Sequence, residues 1–193
     1  MVKFPLQNLL GLTSIASFTA VATTPPSANK TLEITAIAAK DGVSVFECWA
    51  LEPGFLQSAQ PGTVGAEILQ LGNLANASYS VIPPRFNAGA HNAPNIQCVS
   101  TQPISTMILF FFTLTRYVAF LSGLARVTLP TTNATADISG GAKGLIIATD
   151  VASVSNGGHI TEYPSDESTI ALQIPTLDGN VPGHTVVHGG PCR

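Results

Sequence analysis

Charged side chains are scarce in this chain: 8 Lys and Arg residues and 11 Asp and Glu residues make up 10% of the 193 positions. The basic residues are scattered rather than clustered, so no segment offers the positive surface on which nucleic-acid binding depends. The sequence also lacks a P-loop, a dinucleotide fingerprint, a nucleophile elbow, an HExxH pair and a CxxC pair. These absences argue against the corresponding enzyme classes and predict that nucleic acid is not a partner.

Helical signals are also missing, because no window has an apolar helical face bounded by capping residues. Short runs rich in Val, Ile, Leu, Phe and Thr recur instead about every ten residues, separated by Gly, Pro, Asn and Asp. The predicted strands are Val43–Leu51, Gly65–Leu71, Ser78–Ile82, Tyr117–Leu121, Ala125–Leu129, Thr135–Ile138, Gly144–Ala148, Thr169–Ile174 and His184–His188. This pattern predicts an all-β protein, and a jelly roll or small β-barrel would protect the sheet edges by closure.

The N-terminus has the pattern of a secretory signal peptide over residues 1–22. Lys3 precedes a short apolar run, and Ala20-Val21-Ala22 is a small-residue cleavage pattern. We therefore expect residues 23–193 to form a single extracellular domain with no membrane anchor. Three N-x-[ST] sequons predict glycosylated surface positions at Asn29, Asn76 and Asn133.

Residues 98–116 differ in pattern from both flanks, because they combine a Phe run with Thr and Ser and show neither strand alternation nor helix caps. Gln97-Cys98 can be encoded as CAG-TGY, which contains a GT splice donor, and Arg116 as AGR, which contains an AG acceptor. Removal of the intervening bases keeps the frame and leaves glutamine directly before Tyr117. We interpret the segment as a retained intron; a genuine loop and a membrane span over 104–124 are the alternatives.

Cysteine is rare, and the three cysteine residues bear both on secretion and on the predicted insertion. An odd number leaves one thiol unpaired in a secreted protein, whereas a chain without residues 98–116 has only Cys48 and Cys192. We expect these two to form a disulfide, which would contribute roughly 4 to 5 kcal/mol in the chain-entropy model. The alternative for Cys48 is a buried, unpaired small side chain.

With residues 98–116 removed, the order of residues becomes His91, Ala93, Gln97 and Gly123 at the spacing H-x-A-x(3)-Q-x(6)-G. This resembles the first motif of the cupin superfamily, HxH-x(3,4)-E-x(6)-G, with Ala93 in place of the second His and Gln97 in place of the Glu. The resemblance implies a β-barrel whose interior side chains hold a divalent metal. The replacements remove one ligand and one charge, so affinity for the ion should fall.

A second segment, from Asp150 to His159, resembles the second cupin motif, G-D-x(4)-P-x-G-x(2)-H. The spacing is one residue shorter, the Pro is missing, and Gly157-Gly158 directly precede His159. The resemblance implies that His91, Gln97 and His159 converge on one site for a divalent ion, which could be Fe, Mn, Ni, Cu or Zn. It also implies a small-molecule ligand and a homodimer.

Three functions remain open from the sequence. The first is a metal-dependent oxidoreductase or dioxygenase that acts on a small apolar or aromatic molecule, with His91 and His159 as ligands. The second is a metal-free cupin-type isomerase or cyclase in which His91 is the general base. The third is a non-catalytic secreted binding or surface protein. His184 and His188 also share a strand face, although a structural role on a terminal strand is the plainer interpretation.

Overall fold

A computed structural model describes residues 30–93, 95–96, 112–113, 115–177 and 179–193. These residues contain strands and no helix, so the all-β prediction is confirmed. The strands are β1 (Leu32–Lys40), β2 (Val43–Leu51), β3 (Leu56–Gln57), β4 (Glu67–Ile68), β5 (Ser78–Ile82), β6 (Phe86–His91), β7 (Asn95–Ile96), β8 (Phe112–Thr113), β9 (Arg116–Ser122), β10 (Leu124–Leu129), β11 (Ala134–Ser139), β12 (Leu145–Ala148), β13 (His159–Tyr163), β14 (Thr169–Pro175) and β15 (His184–Gly189).

The strands form two main sheets. One has seven strands in the order β15-β2-β1-β12-β9-β14-β5, and the other has four in the order β11-β10-β13-β6. β1 and β12 run parallel, whereas the other neighbours in these two sheets run antiparallel. Two-stranded ribbons, β3-β4 and β7-β8, complete the described set. The described strands therefore form open sheets and not the single closed barrel that we considered from the sequence.

The two main sheets pack face to face. Their facing side chains form one cluster, the inner core, which includes Ile37, Phe46, Phe120, Val127, Leu129, Ile138, Ile146 and Ala171. The opposite face of the seven-stranded sheet is also buried and forms the outer core: Ile34, Ala36, Ala38, Trp49, Leu51, Tyr117 and Ile147. Leu69 and Leu71, which follow β4, pack against this outer core. Because both faces of the large sheet are covered, β1 is buried without interruption from Ile34 to Ala38.

Most predicted strands are present, and two match to the residue, β2 and β5. The predicted strand Gly65–Leu71 is reduced to β4, because its first half is exposed and has no core to face. The prediction missed β1, whose Ala and Thr residues are buried on both faces and so do not alternate. It also missed β6, which contains no β-branched residue, and the five-residue β13.

Gly123 makes the turn between β9 and β10. It has a φ of 82°, in the left-handed region, and a Cβ at this position would lie 2.8 Å from the Cα of Thr169. Only glycine accepts both constraints without strain. The last residue of the first motif is therefore a backbone requirement of the turn.

Cys48 of β2 is bonded to Cys192, with Cα atoms 4.7 Å apart. This is the disulfide expected from the sequence. It ties the C-terminal residues to the large sheet beside β1, where the backbone N–H of Cys192 also donates to Thr35. Cys98 lies outside the described residues.

The end of the predicted insertion, residues 98–116, takes part in the described structure. Phe112 and Thr113 form β8, which pairs with Ile96 and Asn95 of β7, and Arg116 is the first residue of β9. Thr115 is buried, and its carbonyl accepts hydrogen bonds from Thr176. Residues 97–111 and 114 lie outside the described part, so the retained-intron interpretation stays a prediction.

A membrane span over 104–124 does not fit the second half of that window, since Arg116–Ser122 form β9 and β10 begins at Leu124. Within the described ranges, no helix has the length and hydropathy needed to cross a bilayer.

Candidate functional site

His91 and His159 face each other across neighbouring strands of the four-stranded sheet. They are direct partners in the β6-β13 register. Their ring centroids lie 4.5 Å apart with an interplanar angle of 60°. The two histidines that the sequence placed in one site are therefore adjacent.

A glycine allows this close approach. Gly158 has a φ of 59°, and a Cβ there would collide with the carbonyl group of His91 and lie 2.9 Å from the amide nitrogen of Asn92. Any other residue would push the two strands apart at this point. The pair Gly157-Gly158 is one of the departures from the second cupin motif, and Gly158 allows His159 to lie against His91.

His159 is held by a buried carboxylate. Its Nδ1 lies 2.8 Å from Oδ2 of Asp150, and both side chains are almost fully buried. The hydroxyl of Ser44 donates to the same oxygen at 2.7 Å and also pairs with the hydroxyl of Ser155 at 2.7 Å. Because the carboxylate accepts, Nδ1 of His159 must donate the proton, and Nε2 is left as the basic nitrogen.

Asn92 fixes the loop that contains Asp150. Its amide nitrogen donates to the carbonyl oxygens of Asp150 and Ser155, each at 2.9 Å. No local pattern gives a role to Ser44, Asn92 or Ser155, because they are separated along the chain and belong to no motif. Asp150 had a signal, as the Asp of the second motif, but its role as the partner of His159 was not predicted.

His91 is partly exposed and is oriented by backbone. Its Nδ1 lies 2.9 Å from the carbonyl oxygen of Gly89, so this nitrogen donates and Nε2 is again the free acceptor. Burial lowers the pKa of His91, and the neighbouring His159 and Arg116 lower it further, while Gly89 and Asp150 oppose the change. The imidazole of His91 is therefore neutral at neutral pH.

Both histidines line a small cavity between the sheets, with a volume of about 90 Å³. Its walls are mostly apolar. The other lining residues are Ile37, Ile82, Arg116, Val118, Phe120, Val127, Ile146, Ala148, Thr161, Tyr163, Ala171 and Gln173. A few polar groups on apolar walls are typical of a small-molecule site.

Arg116 is the unexpected member of this site. Its guanidinium Nη1 donates to Oε1 of Gln173, and Nε2 of Gln173 donates to the hydroxyl of Ser80 at 3.1 Å. Burial lowers the pKa of Arg116, but guanidinium stays protonated at physiological pH. A permanent positive charge therefore lies in the same cavity as the two imidazoles.

The other motif positions have different outcomes. Ala93 is buried in the inner core and bridges to Val151, so it supplies packing and no ligand atom. Gln97, the third predicted metal ligand, lies outside the described residues, so its assignment stays a prediction. His91 as a catalytic residue also stays a prediction.

The centroid distance of the histidine pair is compatible with a shared metal ion. With metal–nitrogen bonds of about 2.0–2.1 Å, two imidazoles bound at a right angle place their centroids roughly 4.5 Å apart. Each Nδ1 is already engaged by a carbonyl or a carboxylate, which is the usual outer support of a metal-bound histidine. Arg116 is the element that does not fit, since its charge opposes that of a cation.

The remaining histidines lie elsewhere. His184 of β15 stacks on the indole ring of Trp49, a residue of the outer core, with ring centroids 3.6 Å apart. His188 is exposed on the same strand, beyond an irregularity in the register. The structural interpretation of this pair is therefore the better one.

A larger cavity of about 400 Å³ lies away from the histidines, beside the C-terminus. Glu33, Cys48 and Cys192 come together near it, but the two sulfurs are joined in the disulfide and cannot act as thiolate ligands. The small cavity is lined by the two imidazoles and the guanidinium, although the other cavity has the greater volume.

Two of the three predicted glycosylation positions are exposed, Asn76 and Asn133. Asn133 lies in the turn after β10, with a φ of 54°. Asn29 and the predicted signal peptide, residues 1–22, lie outside the described part of the chain. Glycosylation stays a prediction.

Comparisons with protein-family models, with curated proteins and with solved structures find no match for this chain. The likeness to cupins therefore depends on the motif residues alone.

Proposed function

We propose that this chain is a secreted, cupin-like protein whose inner cavity binds a divalent metal through His91 and His159 and uses it in the oxidation of a small apolar or aromatic molecule. The observation that supports this most is the pair of facing imidazoles, 4.5 Å apart, each with its Nδ1 engaged and its Nε2 available. The apolar walls and the volume of about 90 Å³ favour a small ligand.

Two further features support the cupin-like jelly roll as the architecture. His91 and His159 lie on neighbouring strands of the four-stranded sheet, and Gly123 makes the turn that joins β9 of one sheet to β10 of the other. Gly123 has the backbone conformation that its motif position requires. The Cys48–Cys192 disulfide is consistent with an oxidising compartment and so supports secretion.

The Asp150–His159 couple favours a second candidate, a metal-free isomerase or cyclase. A buried carboxylate that accepts from Nδ1 orients the imidazole and leaves Nε2 as the acceptor, which is the arrangement of a general base. His91, whose burial lowers its pKa, is neutral and is the alternative base. In this candidate Arg116 would hold an anionic group of the substrate.

Metal titration of the full chain tests the first candidate. We expect Ni²⁺ or Mn²⁺ to bind at one site per chain in calorimetry, and His91→Ala or His159→Ala to weaken binding at least about tenfold by removing one of two ligands. His188→Ala is the matched control, because that histidine is exposed and far along another strand. Binding that is absent, or that His188→Ala weakens equally, would contradict the proposal.

The same variants separate the two candidates. Turnover of a panel of small aromatic compounds that persists after chelation, but is lost in His159→Ala, would favour the metal-free reaction. Turnover that is lost on chelation and restored by one metal would favour the oxidoreductase.

A further inference from the structure

Arg116 brings a positive charge to the inner cavity that no carboxylate of the described residues neutralises. Its side chain lines the cavity, and its Nη1 donates to the neutral amide of Gln173. Its Nε is buried and has no hydrogen-bond partner in the described part of the chain. Asp150, the carboxylate nearest in this site, is bonded to His159, and the ion pairs of the described residues do not include Arg116. The guanidinium therefore keeps an unbalanced charge.

This charge acts on the whole cavity. Burial lowers the pKa of Arg116, and the guanidinium in turn lowers the pKa of His91. A partly buried cation without a counter-ion is costly, because the protein replaces the water that would solvate it. The planar guanidinium has five N–H donors, of which the bond to Gln173 uses one, and its geometry matches the two oxygens of a carboxylate. An anion that enters the cavity would offset the cost.

The rest of the cavity wall suits an apolar group. Ile82, Val118, Phe120 and Tyr163 line it, and the rings of Phe120 and Tyr163 lie 6.4 Å apart with an interplanar angle of 60°. The volume of about 90 Å³ limits that group to a small one. A ligand with one charged end and a short apolar or aromatic end therefore matches both parts of the wall.

We propose that the cavity takes a small monocarboxylate, whose carboxylate binds the guanidinium of Arg116 and whose apolar or aromatic part lies against Val118 and Phe120. The inference names the substrate class of the proposed function, and it rests on that function for placing the substrate in this cavity. It also bears on the charge that opposes a divalent cation, because a bound carboxylate neutralises the guanidinium beside the two imidazoles.

Calorimetric titration of the full chain with benzoate tests the proposal, once with a chelator present and once with Ni²⁺. We expect one benzoate per chain in both conditions, and binding at least about tenfold weaker in Arg116→Gln, because the charge-assisted bonds are lost. Arg116→Lys keeps the charge without the planar fork and should lie between. Arg126→Gln makes the same chemical change at an exposed ion pair and should bind benzoate like the unsubstituted chain.

Two further probes test the two ends of the ligand. Benzamide has the shape of benzoate without its charge, so it should bind the full chain at least about tenfold more weakly, and Arg116→Gln should not change its affinity. Sulfate is an anion without an apolar part and should also bind more weakly than benzoate. Benzamide or sulfate affinity equal to that of benzoate would overturn the proposal.

The outcomes separate this inference from the function on which it rests. Absence of benzoate binding, or equal affinity in the full chain and Arg116→Gln, would overturn the monocarboxylate, even where Ni²⁺ binds through the histidines. Benzoate binding that depends on Arg116 in a chain that does not bind Ni²⁺ would support the inference and overturn the metal function. Intrinsic fluorescence of the buried Trp49 verifies folding. If Arg116→Gln does not fold, Arg116→Lys and the ratio of benzoate to benzamide affinity in the full chain decide.

Discussion

The two faces of the seven-stranded sheet bury different kinds of side chain. The outer core is built from aliphatic and aromatic side chains, and its few polar atoms include the indole of Trp49, bonded to Glu47, and the hydroxyl of Tyr117. Burial raises the pKa of Tyr117 to about 12, so that hydroxyl stays neutral. The inner face instead surrounds ionisable groups: the Asp150–His159 couple, His91 and Arg116.

This difference separates the residues that stabilise the fold, on the outer face, from those that bind a ligand, on the inner face. Apolar burial on the outer face stabilises the fold at low cost, whereas each buried polar group on the inner face needs a partner to offset its desolvation. The network of Ser44, Ser155 and Asn92 around Asp150 supplies those partners. We therefore expect outer-core substitutions to change stability alone and inner-face substitutions to change ligand binding as well.

The largest stability effect should come from Ile147→Ala. Ile147 is fully buried in the outer core, and the loss of three carbons should lower the free energy of unfolding by about 2–5 kcal/mol. Chemical denaturation measures this loss. Calorimetry with Ni²⁺ should show less than about a twofold change in affinity, and a larger change would remove the distinction between the two faces.

Asp150→Asn should affect both properties. The substitution keeps the shape but weakens the bond to Nδ1 of His159, so we expect a loss of about 1–3 kcal/mol in unfolding free energy. Metal affinity should fall about 10- to 100-fold, as for other changes behind a metal-bound histidine. Asp137→Asn, at an exposed carboxylate, is the control, and identical metal affinities in the two variants would contradict a supporting role for Asp150.

Deletion of residues 98–116 should leave both cores intact. Phe112, Thr113 and Thr115 of this segment make backbone pairings or accept hydrogen bonds from Thr176, so its removal should lower the unfolding free energy by about 1–3 kcal/mol. Circular dichroism in the aromatic region and a cooperative denaturation curve measure the outcome. Loss of cooperative unfolding would show that the segment belongs to the fold.

The smallest effect should come from the Arg126–Asp137 pair on the surface. Its hydrogen bonds to Arg126 lower the pKa of Asp137 below the unfolded value of about 3.9. A lowered carboxyl pKa contributes stability that is present above the unfolded value and is lost as the pH falls through the folded one. Arg126→Gln should therefore lower the free energy of unfolding slightly near neutral pH and leave it unchanged at strongly acidic pH. Denaturation measured over a range of acidic pH values tests this.

The sequence predicted the all-β class and most strands, because alternation and turn residues are local signals. It also predicted the disulfide and brought His91 and His159 into one site by motif spacing. Two sheets packed on a shared core, with β1 buried on both faces, could not be predicted, since no local pattern encodes which strands become neighbours.

The same limit applies within the site. Ser44 and Asn92 reach Asp150 only through tertiary packing, and each is separated from it by more than fifty residues along the chain. Arg116 was assigned to the insertion, so its place in the cavity was missed. The register of β9 could have indicated it, because every second residue from Arg116 to Phe120 faces the cavity.

The central claim is that His91 and His159 bind one metal ion through their Nε2 atoms. Anomalous diffraction from crystals of the full chain soaked with Co²⁺ tests it most directly. We predict one peak in the inner cavity, within about 2.0–2.3 Å of both Nε2 atoms. A peak elsewhere on the molecule, with both imidazoles unbound, would contradict the account.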